Sequence, residues 1–396
     1  MPAARDVRNV GVLAACQALF MSSQSMHIIA AGLVGAMLAE NRALATVPVT
    51  AVVVATVATT IPASLLMHRL GRQTGFMLAA VIGALGGALA ARGIWVQDFW
   101  VFVAGAFGMG VQGGFAQYYR FAAADVASPE FRARAISLTL SGGVVSALVG
   151  PQLAKWTTDL FAPVTFLGVY VTVCILAASA VALLMALDIP KLSHAEVRAG
   201  GRPLIEIARQ PTFLVAVLCG MVGYGVMSLV MTSTPLAMVG CGFGVVDAAT
   251  VIQFHVLAMF APSFFTGTLI DRFGVLNVIL FGMALLAACV AVALAGIDIL
   301  NFGVALTALG LGWNFAFVGA STLLTETYEP AERAKVQAAN DFLVFGSVAL
   351  ASASSGAVLH LLGWDSVQMT AVPFVVTAVI ALVWLKVRRA ARAGTG

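Results

Sequence analysis

Two helix-spaced pairs of soft donor side chains stand close together in this chain. Met227 and Met231 are four residues apart, as are His255 and Met259, and neither pattern recurs elsewhere in the sequence. Residues four apart on a helix share a face one turn from each other, so each pair presents two potential ligands on one stripe. Thioether and thiolate sulfur select Cu(I), and imidazole suits copper too. Cys219 precedes the first pair, and Cys241 falls in the glycine-containing turn between the pairs. Met227, Met231, His255 and Met259 therefore read as metal ligands, with Cys219 and Cys241 as relay stations or redox-sensitive thiols.

The elements that must position these residues are membrane spans. The chain has 396 residues, of which 61% are hydrophobic and only 10% charged, with a mean hydropathy of +1.00. Soluble proteins carry about a quarter charged residues. Many apolar runs exceed the roughly 20 residues that cross a bilayer as helix, and they are continuous rather than alternating, which favours helices over a barrel. The expectation is an all-α membrane protein with twelve spans near 8–38, 43–67, 75–94, 98–123, 134–155, 163–187, 212–238, 246–270, 275–296, 301–325, 336–361 and 367–387. The polar segment 188–211 separates an N-terminal six-helix bundle (1–187) from a C-terminal one (212–396). A formal charge of +4 on such a chain carries no sign of nucleic acid. Five cysteines without paired spacing give no disulfide framework, and MPAARDVRNV passes straight into the first span with no cleavable signal peptide.

With both termini cytoplasmic, seventeen Lys and Arg fall inside, against three outside (Arg42, Arg92 and Lys155) and Arg120 within a span. That asymmetry is a strong positive-inside signal. The halves also repeat: Arg69 and Gly71 match Arg272 and Gly274 at an offset of 203, and Pro129, Arg132 and Arg134 match Pro330, Arg333 and Lys335 at 201. Nearly equal offsets at independent places argue for a duplicated transporter.

These loops resemble the Gly-x-x-x-Asp-Arg-x-Gly-Arg pattern of the major facilitator superfamily. Residues 267–274 keep its Gly, Asp, Arg and Gly and lack the last Arg, whereas the first copy has Ser64 and His68 at the leading Gly and Asp positions. The segment SGGVVSALVGPQLA (141–154) is similar to that family's Gly-Pro element. The resemblance implies two six-helix bundles working by alternating access. It also implies a conformational gate built from Arg69, Arg72, Asp125, Arg132, Arg134, Asp271, Arg272, Glu326 and Arg333.

More narrowly, the ordered Cys, Met-x-x-x-Met, Cys and His-x-x-x-Met on spans 7 and 8 resemble the CcoA-type bacterial copper importers. That resemblance implies import of copper, as Cu(I), across the bacterial inner membrane for assembly of the haem–copper (cbb-type) oxidase. Copper would be the substrate rather than a permanent cofactor, the acceptor a cytoplasmic copper chaperone, and the carrier a lipid-embedded monomer. At about 1.5 Å rise per residue the two ligand pairs lie at overlapping depth, roughly 10–20 Å below the outer face. Some 33 Å of helix separates Cys219 from Cys241, too far for a disulfide, so they read as opposite ends of a path. Met26 and His27, in the polar run 21–27, are candidate further ligands, and Trp313 and Asn314 are candidate cavity residues. A monovalent cation moving inward gains about 2.3 kcal/mol per 100 mV, so uniport suffices.

The alternative is a proton-coupled transporter of a small organic solute or drug, in which the Met and His residues are packing. No enzyme is expected: a redox enzyme or copper sensor needs an appended domain, and the central loop is too short for one.

Overall fold

The computed structural model describes residues 4–41, 44, 47–189 and 201–393. Arg42 and residues 190–200, which include Lys191, His194 and Arg198, lie outside the described residues. Every regular element described is helical: α1 (Ala4–Leu38), α2 (Val47–Leu70), α3 (Arg72–Trp95), α4 (Phe99–Ala116), α5 (Tyr119–Val126), α6 (Arg132–Thr157), α7 (Leu167–Leu184), α8 (Leu204–Ala208), α9 (Pro211–Gly240), α10 (Val245–Phe260), α11 (Thr266–Phe273), α12 (Val275–Ala295), α13 (Ile299–Leu324) and α14 (Arg333–Ala393). Among the described residues, ten helices are long and apolar enough to cross a membrane, or eleven if the bent pair α10–α11 is one span. Helix is the required answer for such runs, because bilayer hydrocarbon offers no water to an unpaired N–H or C=O.

The chain divides into two units: residues 1–129 with 138–199, and residues 130–137 with 200–396. In the first unit α3 packs along α4 and α7, and α2 along α4. Glycine permits that approach: a Cβ on Gly105 would collide with the Ala90 backbone nitrogen, and one on Gly86 would stand 2.8 Å from the Gly105 carbonyl oxygen. Small residues at such crossings let backbones approach, and close packing drives association where lipid removes the hydrophobic incentive. The Thr56 hydroxyl adds a hydrogen bond to the Gly110 carbonyl at 3.0 Å.

In the second unit α12 lies against α13 through Gly282 and Gly312, while α9 packs on α13 and α14 and α10 packs on α13. Pro262 breaks the run that follows α10, and residues 261–264 form a 3₁₀ turn before α11 restarts at 54°. Asn314 on α13 ties this break. Its Nδ2 donates to the Met259 carbonyl and to Ser263 Oγ, both at 2.6 Å, and its Oδ1 accepts from Thr266 Oγ1 at 2.6 Å. Polar groups freed by the bend are thus satisfied inside the protein. The long α14 is likewise interrupted at Gly363, whose φ of 83° glycine tolerates best.

Candidate functional site

Met227 and Met231 lie on α9 and His255 and Met259 on α10, and both helices pack on α13. On α9, Tyr224, Met227 and Met231 follow one another at spacings of three and four and share a face. On α13, Leu306, Gly310, Trp313 and Phe317 do the same at four, three and four. A Cβ on Gly310 would stand 2.5 Å from the His255 carbonyl oxygen, which places α10 directly against this stripe.

His255 is fully buried, and its Nδ1 lies 2.7 Å from the Leu306 carbonyl oxygen. A carbonyl only accepts, so Nδ1 carries the hydrogen and Nε2 presents a lone pair. That buried Nε2 has no hydrogen-bond partner. Met227 and Met259 are buried and Met231 is half-buried. Cys219 is buried and Cys241 exposed, both as free thiols, with Cys241 just past the end of the continuous α9. Among the described residues, no group of three or more His, Cys, Asp or Glu is placed to hold a metal ion.

Met26 and His27 lie in the first unit. Met26 belongs to an apolar cluster with Phe102, Tyr170 and Val173, and His27 Nδ1 meets the Tyr170 hydroxyl at 3.1 Å.

The gate residues divide among several contacts. Arg72 pairs with Asp125 at 2.5 Å, both buried, in the first unit. In the second unit Arg134 pairs with Asp271 at 2.7 Å, while Glu326 pairs with Arg389 at 2.8 Å. Arg272 lies over the Phe273 ring at 5.3 Å. Arg69 ends α2 exposed, and Arg132 and Arg333 are half-buried at the starts of α6 and α14.

Two features escape the sequence reading. The first is an aromatic cluster around Trp313, stacked on Phe317 at 5.1 Å and 18° and meeting Tyr224 at 5.3 Å and Phe260 at 5.4 Å edge-on. Tyr224 also touches Phe317 and Phe345. Trp313 is named above as a cavity residue; the helical spacing of Trp313 and Phe317 is the signal that could have extended it. Its buried Nε1 has no hydrogen-bond partner.

The second is a clasp just before α14. The Glu332 carboxylate accepts from Arg202 Nε (2.8 Å), Arg202 Nη2 (2.7 Å), the Arg202 backbone N–H (2.7 Å) and the Glu329 N–H (3.1 Å). The Lys335 ammonium donates to the Arg202 carbonyl, and Gln210 Nε2 donates to the Thr327 carbonyl at 3.1 Å. Arg202 hydrogen bonding, above all, holds the Glu332 carboxyl down at about 2, and the same contact raises the Arg202 guanidinium. Gly201, at φ 58°, abuts Glu332 closely enough that a Cβ would collide with it. No short-range motif announces this pairing of residues 130 apart.

An open groove of about 570 Å³ lies between α10, α12 and α13, walled by Phe254, Leu285, Leu300 and Val304. Its walls are apolar, and none of the Met, His or Cys candidates lines it.

Helices of this length and number define a polytopic membrane protein, and comparison with known proteins makes the family definite. The sequence model of the Major Facilitator Superfamily matches residues 13–296 and 254–396, so the chain belongs to that superfamily. It is 43% identical over 378 residues, 95% of each chain, to a protein of Brucella anthropi named riboflavin transporter RfnT. An uncharacterised MFS-type transporter of Bacillus subtilis, YdeG, is 28% identical over 74% of this chain and 72% of its own. Among solved structures, the human organic anion transporter MFSD10 superposes with a TM-score of 0.77 at 15% identity, covering 95% of this chain and 99% of that one, which shows the fold.

These relatives correct the copper reading. A relative this similar along nearly its whole length is named for an organic solute, so copper import, oxidase biogenesis, copper as substrate and a copper chaperone as partner are withdrawn. The physical reason for the misreading lies in the side chains themselves. A thioether stripe beside an imidazole suits a soft metal, but it also suits packing against flat rings, and spacing alone does not separate the two.

Proposed function

We propose that this chain carries a small planar organic solute of the riboflavin class across a bacterial cytoplasmic membrane by alternating access. The observation that carries the reading is the 43% identity to a riboflavin transporter over 95% of both chains. The aromatic walls of the second unit supply chemistry that suits such a solute.

The finer topology is part of the proposal. Counting α14 as two spans across Gly363, and α10–α11 as one, raises the tally to twelve. The Lys and Arg asymmetry supports cytoplasmic termini. Six-helix bundles at 1–187 and 212–396, a cytoplasmic loop at 188–211, and a monomeric carrier in lipid complete the arrangement. The gate residues named above keep the role of charge contacts that exchange during the cycle. Riboflavin is uncharged near neutral pH, so the membrane potential that would draw in a monovalent cation exerts no pull on it. Accumulation of such a solute requires a coupled ion, for which the proton is our choice.

Riboflavin uptake tests the reading. In a riboflavin-requiring bacterial strain without its own transporter, expression of this chain restores growth on low riboflavin and drives uptake of radiolabelled riboflavin. Growth and uptake no better than the empty vector, with the protein present in the membrane, sink the proposal.

A further inference from the structure

We infer that the second unit contains a ring-stacking site for a flat heteroaromatic solute, built by Tyr224, Phe260, Trp313 and Phe317 and oriented by two unmatched polar atoms, Trp313 Nε1 and His255 Nε2. The inference rests on the functional reading above and deepens it by naming the residues and the part of the solute they hold.

The argument begins with two atoms. Trp313 Nε1 can only donate, while His255 Nε2, its companion nitrogen committed to Leu306, can only accept. Both are buried without a partner, on side chains 2% and 0% exposed. A buried polar group left unmatched costs about 1–3 kcal/mol, so each such atom in a folded protein calls for an explanation. Other polar groups on the same elements are satisfied. Asn314, adjacent to Trp313, spends its whole amide on Met259, Ser263 and Thr266. Among the described residues of α10 and α13, the shortfall is therefore confined to Trp313 and His255.

A ligand that relieves both atoms must bring an acceptor to Trp313 and a donor to His255. Imide edges of flavins and related heterocycles carry carbonyl oxygens beside an N–H, and a ribityl chain adds hydroxyls of either sense. The flat remainder of the ring meets Tyr224 and Phe260, which approach Trp313 edge-on at 77° and 73°. Offset and edge-on contacts are the arrangements aromatic rings prefer, so exchanging one protein ring for a solute ring sacrifices little. Met227, one turn beyond Tyr224 on α9, supplies polarizable sulfur on the helix face that carries that ring. A simple sugar would relieve the polar atoms without using the rings, and a hydrocarbon would use the rings and leave the atoms unmatched.

Full-length protein in detergent, titrated with riboflavin and followed by flavin fluorescence, tests the site, because stacking on Trp or Tyr quenches that emission. Wild type quenches riboflavin; lumichrome, the ring without its side chain, competes, and ribitol does not. Trp313→Phe keeps an aromatic ring, smaller than the indole, and deletes the N–H, and binding of both riboflavin and lumichrome weakens about tenfold. Tyr224→Leu, with Trp313 intact, weakens binding several-fold and reduces the quench. His255→Gln, which retains an acceptor, loses less than His255→Leu. Each variant is first shown to be folded by its elution as a single species. Wild type that binds and transports riboflavin, alongside Trp313→Phe and Tyr224→Leu variants that bind it equally well, overturns the site and leaves the functional reading standing. Competition by ribitol and not by lumichrome also overturns it. Wild type that neither binds nor transports riboflavin overturns both.

Discussion

Removing the charge of Glu332 should loosen the segment that enters the second unit. Glu332 receives four hydrogen bonds, three of them from Arg202, on a side chain only 1% exposed. Its carboxyl is held at about 2 against an ordinary 4.5. At about 1.4 kcal/mol per pH unit that difference amounts to ~3 kcal/mol. Arg202 is 39% exposed, so water and salt screen the pair and reduce the contribution to about 1–2 kcal/mol. Glu332→Gln keeps the shape and removes the charge. Thermal unfolding in lipid nanodiscs should show a melting temperature lower by about 1–3 °C at pH 7. The sign with pH follows from the depressed pKa: the contribution is complete above about 4.5 and disappears as the pH falls through about 2. The gap between wild type and variant therefore stays constant from pH 8 to pH 5 and narrows below pH 4.5. A gap that is absent at pH 7, or that narrows already between pH 8 and pH 6, refutes the reasoning.

Three further outcomes follow from the packing and the family assignment. Arg72→Met leaves the buried Asp125 carboxylate without its guanidinium and lowers stability by about 3 kcal/mol, whereas adding Asp125→Leu recovers much of the loss; melting curves of the single and double variants decide this. Gly310→Ala forces a methyl group against the backbone of α10 at His255 and Met259, so the yield of monodisperse protein falls, with a cost of about 1–3 kcal/mol. Cells expressing the chain accumulate no more radiocopper than control cells, and a copper-dependent gain abolished by His255→Ala would reinstate the metal reading.

The apolar helices were largely legible because they depend on run length, a local property. The repeat pairing Arg69 with Arg272 and Pro129 with Pro330 pointed to the superfamily that the comparison establishes. Less legible was the break after α10. Pro262 marks it, but the bend is held by Asn314, more than 50 residues away. The helical spacing of Met227 with Met231 and of His255 with Met259 was legible, and its chemistry was not. Whether His255 offers a lone pair to a metal or to a solute hydrogen depends on its surroundings, and the Leu306 carbonyl that fixes its tautomer lies on another helix. The ring cluster draws Tyr224, Phe260, Trp313, Phe317 and Phe345 from four helices, so no window of sequence contains it. Glu332 and Arg202 are legible as charges and become a clasp only once the chain is folded.

The three hydrogen bonds of Asn314 also bear on how such a carrier can change its diet over evolutionary time. Trp313, next to this amide in sequence, and Phe260, next to Met259, are rings that take no part in its hydrogen bonds. The frame and the palate are thus held by adjacent but separate residues. With the ring-stacking site proposed above, substitutions that retune the rings for a new cargo would leave the elbow between α10 and α11 tied by Asn314.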